Sequence, residues 1–143
     1  MIKLTNDELT EMLRDKEFRI TEHRLAVLKA VAHGKQAQTV HALFDKLRNK
    51  YVIDQATVYR NLSSLHAAGL LRRLDFNHGH AHYELETGES SQQLVCSKCE
   101  TVEKIEDIDA SDIVKKMVKK SKKFKKISSH SVEIYGICKK CAA

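Results

Sequence analysis

Four cysteines fall in two pairs, Cys96-Ser-Lys-Cys99 and Cys138-Lys-Lys-Cys141. A two-residue spacer lets both sulfurs of a pair face one point, and two such pairs supply the four thiolates that a structural zinc ion prefers. No cysteine is left over. Paired disulfides or a redox-active CxxC are the competing chemistries. Zinc is favoured over both, because only four of 143 residues are cysteine and no export leader is recognisable, so the thiols are expected to stay reduced. Thirty-eight residues separate the two pairs, so the ion would staple a whole substructure rather than a single finger. A complete set of four thiolate ligands also leaves no open coordination position, which argues against a zinc hydrolase or any other enzyme.

A second group of candidate ligands lies upstream. His80, His82 and Glu84 alternate with Ala81, Tyr83 and Leu85, so in a strand all three would point to one face, and imidazoles with a carboxylate suit Zn, Ni or Fe(II). His78 sits at the preceding turn, and His33 or His41 could supply a fourth ligand. The competing reading is an exposed strand face of neutral histidines. Separately, Gln55, Thr57, Tyr59 and Arg60 cluster near the start of one helical pattern, away from Val58, Leu62 and Leu65. Polar and cationic side chains at a helix N-terminus are what base edges and phosphates require.

The elements that must position these groups are readable from their period. Thr5-Asn-Asp-Glu8 is a capping box ahead of Leu9, Met12 and Leu13. Thr21 precedes Leu25, Leu28 and Val31, with Gly34 as a stop. Thr39 precedes Val40, Leu43, Phe44 and Leu47, and Asp54 precedes Val58, Leu62 and Leu65, with Gly69 just beyond. Four helices are therefore expected before residue 70. From Leu70 the period changes to two, Asn77-His78-Gly79 offers a turn, and alternation resumes through Leu85, which predicts a hairpin. Helices followed by a hairpin are the pattern of a winged helix, and Arg72 and Arg73 on the wing add positive charge. The polar run from Glu86 to Gln93 reads as a hinge. Beyond it, Leu94 to Cys96, Val102 to Ile105 and Ile127 to Tyr135 are predicted strands, and a helix capped by Ser111 would carry Ile113, Met117 and Phe124 inward. The expected class is α+β, with a winged-helix domain over 1–85, a hinge over 86–93 and an α+β zinc domain over 94–143.

Charge adds less than it first suggests. The net charge of +6 falls to −2 without the eight lysines between Lys115 and Lys126, so basicity is local and reads chiefly as a solvated helix face. No apolar run reaches the length of a membrane span, and a cytoplasmic protein is expected.

Ala56-Thr-Val-Tyr-Arg-Asn-Leu62, Ala68-Gly-Leu70, the first CxxC and the run from His130 to Cys141 together resemble the ferric uptake regulator (Fur) family over nearly the whole chain. The resemblance implies a homodimeric, metal-responsive transcription factor, most often a repressor, with an N-terminal winged helix and a C-terminal dimerisation domain. It places Tyr59 and Arg60 on the recognition helix and Arg24 in a second DNA-proximal motif. It also exposes departures. Where the family carries a histidine-rich stretch before the first knuckle, this chain has Ser90, Ser91, Gln92 and Gln93; a further family histidine falls near Ala37, and a carboxylate at Lys104. Only Glu84 and His130 remain of the regulatory set. The expected partners are a double-stranded DNA operator and a second copy of the chain, with no membrane and no small-molecule substrate. The expected cofactors are one structural Zn²⁺ on the four cysteines and a second divalent ion (Zn, Fe, Ni or Mn) on a rebuilt site drawn from His80, His82, Glu84, His130 and His33. The alternatives are a metal-independent regulator with structural zinc alone and a redox-switched zinc thiolate protein.

Overall fold

Four side-chain caps set the register of the first half. In the computed structural model, which describes residues 3–143, the hydroxyls of Thr5, Thr21 and Thr39 accept the backbone N–H of Glu8, Arg24 and Ala42, and the Asp54 carboxylate accepts that of Thr57 at 2.7 Å. Each bond satisfies a donor that the first helical turn leaves unpaired. The helices that follow are α1 (Asn6–Asp15), α2 (Glu22–Ala32), α3 (Val40–Leu47) and α4 (Gln55–Ala67). At Thr5 the full capping box forms, with the Glu8 carboxylate returning to the Thr5 N–H. All four helices stand where their apolar period predicts them.

Their apolar stripes meet in one core that includes Leu9, Leu13, Leu28, Leu43, Val58, Leu62 and Leu65, all fully buried. Each such side chain contributes roughly 1.5–3 kcal/mol relative to its exposed state. The predicted hairpin forms as β2 (Leu71–Asp75) and β3 (Ala81–Leu85), antiparallel, with Arg72 opposite Glu84 and Leu74 opposite His82. Asn77 and Gly79 both take positive φ to make the turn, conformations that asparagine and glycine tolerate best. Leu71 and Tyr83 join the helical core. The intervening Arg72, Leu74, His82 and Glu84 alternate onto the other face. A two-residue strand, β1 (Gln38–Thr39), pairs with the far side of β3 and gives the sheet order β1-β3-β2. Two residues carry no legible period, so this strand has no signature in the sequence.

The chain divides into two compact units, Met1–Glu86 and Thr87–Ala143. The second is built on β4 (Ser91–Cys96), β5 (Val102–Lys104), α5 (Ser111–Lys120), β6 (Ser131–Gly136) and α6 (Lys139–Ala142), with sheet order β5-β4-β6. β5 turns back antiparallel on β4 through the first cysteine pair, and β6 runs parallel to β4.

Four expectations for this unit need correction. Ser91, Gln92 and Gln93 belong to β4 rather than to a hinge. Ser91 and Gln93 are buried, and the Gln93 amide donates to the Ser91 hydroxyl, while the Gln93 Oε1 has no hydrogen-bond partner among the described residues. The third strand begins at Ser131 rather than Ile127. α5 ends at Lys120, and its apolar residues do not point inward: Ile113, Met117 and, beyond the helix, Phe124 are 63, 68 and 68% exposed. Ser111 is the first residue of α5 and not its cap; its own N–H is held by the Asp109 carboxylate.

Candidate metal centre and nucleic-acid interface

The parallel pairing of β4 with β6 puts Cys96 beside Gly136 in register, so the two knuckles leave adjacent strands at the same level. The Ser97 N–H donates to Gly136 O at 2.8 Å and fastens one to the other. As a result the Sγ atoms of Cys96, Cys99, Cys138 and Cys141 lie within 4.8 Å of one another. All four are free thiols, so neither disulfide pairing is present. Four thiolates at about 2.3 Å from one zinc stand about 3.8 Å apart, and Cys99 and Cys138 are already at 3.7 Å.

The electrostatics of the set fit a dication. Hydrogen bonding from the Cys138 backbone N–H, 3.4 Å from the Cys96 sulfur, is the main cause that brings the Cys96 thiol down to about 6. Thr101, 3.1 Å from Cys99, lowers that thiol as well. Cys141 is pushed up to about 12, first by Cys138 and then by Cys99. The first thiolates therefore form readily and the last is resisted by the sulfurs already there, a conflict that a central cation removes.

The second candidate set is not assembled as expected. His82 and Glu84 do share a face of β3, about 7 Å apart along the strand. Glu84 is turned to Arg72 at 3.4 Å. His33, at the end of α2, places its Nε2 2.8 Å from Leu4 O. No group of three ligand atoms within 4.8 Å includes His33, His82 or Glu84 among the described residues. His130 belongs to the second unit, in the segment before β6, with Nε2 buried. His80 precedes β3 and lies in the turn. There it meets His78, which the alternation of strand residues did not single out. The two rings are 5.6 Å apart, and the His78 ring is 5.1 Å from that of His82. His82 in turn packs edge-on against Phe76 at 4.8 Å, and burial pushes its imidazole below the usual range. The signal that would have found this cluster is the spacing His78, His80, His82 itself.

The residues named for DNA contact separate into two kinds. Gln55, Tyr59 and Arg60 are exposed on the first two turns of α4, and Tyr59 is 55% exposed despite its ring. Arg60 donates to the Thr57 hydroxyl at 3.1 Å, which holds the guanidinium along the helix. Thr57 also lines an open cleft with Thr21, Glu22, His23, Arg24 and Asn61, so the N-terminal ends of α2 and α4 share one concave surface. Arg24 is partly committed to structure: its guanidinium donates to Arg19 O at 2.6 Å and lies over the Phe18 ring at 5.0 Å. Arg72 is wholly so. It is paired with Glu86 at 2.7 Å and with Glu84, its side chain only 14% exposed. Arg73, the next residue, is exposed.

Comparison with known proteins agrees with this architecture. The model of the "Ferric uptake regulator family" matches residues 15–135. The chain is 35% identical to the ferric uptake regulation protein of Legionella pneumophila over 138 residues, covering 94% of this chain and 98% of that one. The crystal structure of the Vibrio cholerae ferric uptake regulator superposes with a TM-score of 0.79 at 29% identity, over 90% of this chain and 98% of that one. The regulator from Francisella tularensis, solved with iron, superposes at 0.74 with 28% identity, over 88% and 96%. A winged helix joined to a sheet-based unit, with four clustered cysteines, over a match of this extent, is decisive: the chain belongs to the ferric uptake regulator family of metal-responsive, DNA-binding transcription regulators.

Proposed function

We propose that the chain is a homodimeric, sequence-specific repressor in which α4 reads the operator from the major groove. The observation that carries this reading is the exposed row Gln55, Tyr59 and Arg60 on the N-terminal turns of α4, within a family that regulates transcription. Arg24 and Thr57 border the same surface and Arg73 extends it onto the wing. Backbone N–H groups and lysine or arginine side chains position such a helix on phosphates, while the few side chains at its exposed end select bases.

Dimerisation is supported by the second unit. Ile113 and Met117 on α5, with Phe124, Ile134 and Tyr135, leave an apolar surface that one chain does not cover, and β6 is an edge strand. Cys96, Cys99, Cys138 and Cys141 hold one structural Zn²⁺ per chain in this reading. When bound, the ion would offset two of the four thiolate charges and tie β4 to the end of β6. A second reading, in which this zinc is the only metal, draws on Ser91 and Gln93, which are buried and bonded to each other at positions where the family resemblance calls for metal-binding histidines.

The test is selection of duplexes from a randomised pool, followed by affinity and salt dependence for wild type and variants. Arg60→Ala is expected to lose about 1–3 kcal/mol and to relax sequence preference, whereas Arg73→Ala weakens all duplexes alike and lowers the salt slope by about one. Arg72→Ala should leave the salt slope unchanged and lower thermal stability instead. Failure of the wild type to enrich any sequence would overturn the proposal.

A further inference from the structure

We propose that the wing turn is itself a metal site, in which His78, His80 and His82 bind a divalent ion of the Ni²⁺, Cu²⁺ or Zn²⁺ class. The site stands on the geometry of one short turn; its consequence for the operator rests on the DNA-binding reading above.

The strongest observation is His78. Both of its ring nitrogens are shielded from solvent, and neither has a hydrogen-bond partner among the described residues. A neutral imidazole carries one donor and one acceptor, and native proteins rarely bury both unmet. A side chain of this kind is better explained by a ligand than by packing.

The second observation is where His78 is aimed. Its ligand nitrogen and that of His80 lie within 4.8 Å of each other. Two nitrogens on one tetrahedral ion stand about 3.3 Å apart, so a modest side-chain rotation closes the pair. Asn77 and Gly79, both at positive φ, bracket His78. Asp75 accepts the Asn77 N–H at 3.2 Å and steadies the approach.

The third observation concerns His82. Its Nδ1 lies 3.1 Å from the His80 carbonyl oxygen, so the proton sits on Nδ1 and the lone pair on Nε2. A backbone carbonyl holding one ring nitrogen so that the other is basic is the arrangement that metal-binding histidines use. The T-shaped contact with Phe76 fixes the ring plane. The His82 ring lies 5.1 Å from that of His78, so a side-chain rotation in the turn brings its nitrogen to the first two, the remaining positions being left to water. A set made of imidazole favours borderline and softer divalent ions over Mg²⁺ or Ca²⁺.

Because the turn joins the two strands of the wing, occupancy would fix the conformation of its tip. A wing preorganised by a metal loses less conformational freedom when it meets DNA.

The test uses full-length protein already loaded with its thiolate zinc, titrated with Ni²⁺ by calorimetry at a pH above the imidazole range. One further equivalent per chain is expected. His78→Ala combined with His80→Ala should abolish it. His82→Asn should weaken it about tenfold or more. His41→Ala, outside the cluster and paired with Asp45, should leave it unchanged. Paramagnetic broadening of wild-type NMR signals by Ni²⁺ should be strongest from Phe76 to Tyr83, which keeps the test independent of whether a variant folds. Absence of a further equivalent, its survival in the double variant, or broadening centred elsewhere overturns the site. Operator affinity measured with and without Ni²⁺ separates the two proposals, since failure to bind any duplex in both states would count against the DNA-binding reading and leave the nickel stoichiometry untouched.

Discussion

The two halves of this chain hold themselves together by different means. In Met1–Glu86, four capped helices bury a continuous leucine and valine core, and the hairpin closes over it with Leu71 and Tyr83. In Thr87–Ala143, the buried apolar residues are few, chiefly Val95, Cys96, Val102 and Ala110, while Leu94, Ile108, Ile113, Met117, Phe124, Ile127, Ile134, Tyr135 and Ile137 are exposed. A unit this short with so few buried apolar residues is marginal on its own, and cross-links, metals or association are the usual remedies. The difference teaches that the first half buries its own core, whereas the second leaves a thiolate cluster at one end and an apolar face uncovered, which the proposed ion and second chain would complete.

The largest effect that could break this contrast is removal of the ion. Zinc-finger peptides gain about 10–16 kcal/mol of apparent binding energy from zinc at neutral pH, and in such modules that energy is folding energy. Cys99→Ser, or exhaustive chelation, is expected to release the zinc and to unfold the second unit while the first keeps its helical signal. Amide hydrogen exchange reads the two separately. Protection should disappear from 91–136 and persist in α2 and α4. Uniform loss along the whole chain would show that the first half is not independent.

A smaller effect sharpens the same comparison by exchanging its terms. Leu62 is fully buried in α4, and truncating it to alanine should cost about 2–5 kcal/mol. Ile113 is exposed on α5, so Ile113→Glu should change the intrinsic stability of a single chain by no more than about 0.5 kcal/mol. Its effect should appear in assembly instead. Wild type is expected to sediment as a dimer whose unfolding midpoint rises with concentration, and Ile113→Glu as a monomer whose midpoint does not. A variant that stays dimeric would place the interface on another surface.

The same division decides what was legible in the sequence. The first half announces itself, because every helix begins with a side chain that can cap and continues with leucines at helical spacing. Thr5, Thr21, Thr39 and Asp54 needed only local chemistry to be read. The four cysteines were legible for a similar reason, since spacing within each knuckle is local, and the strand register of Cys96 with Gly136 supplies the rest. Elsewhere the deciding contacts are remote. Ser91 and Gln93 read as linker because polarity outweighs strand signals, yet they are buried in β4 and bonded to each other. Ile113 and Met117 read as core because an amphipathic helix must bury its stripe against something, and the sequence does not say whether that is the same chain or another. Arg72 read as a DNA contact because its partners, Glu84 and Glu86, come from the neighbouring strand and its end. The alternation of His80, His82 and Glu84 found the face that His82 and Glu84 share, but His80 lies just before β3, and the imidazole that meets it is the one in the turn.

The smallest effect tests the caps of the half that buries its own core, and its sign is fixed by pH. Hydrogen bonds from Thr57, first its side chain and then its backbone, hold the Asp54 carboxyl below its ordinary 3.8. A carboxyl lowered on folding stabilises the folded chain above its unfolded pKa, and that contribution is lost as pH falls through the folded value. Asp54→Asn keeps a capping oxygen of nearly equal strength but has no proton to gain. At neutral pH the urea midpoint of this variant should therefore lie close to that of wild type. Between about pH 5 and pH 2 wild type should lose stability more steeply, so the gap between the two narrows or reverses. Asp54→Ala should be the less stable of the variants at neutral pH and as flat as Asp54→Asn in acid. Because Asp54 opens the helix that carries Tyr59 and Arg60, the alanine variant should also bind the selected duplex more weakly at neutral pH, with no change in salt slope, since no phosphate-facing cation is removed. Equal slopes in acid for wild type and Asp54→Asn would mean that the cap carries no charge-dependent stability and that the first half owes its register to the leucines alone.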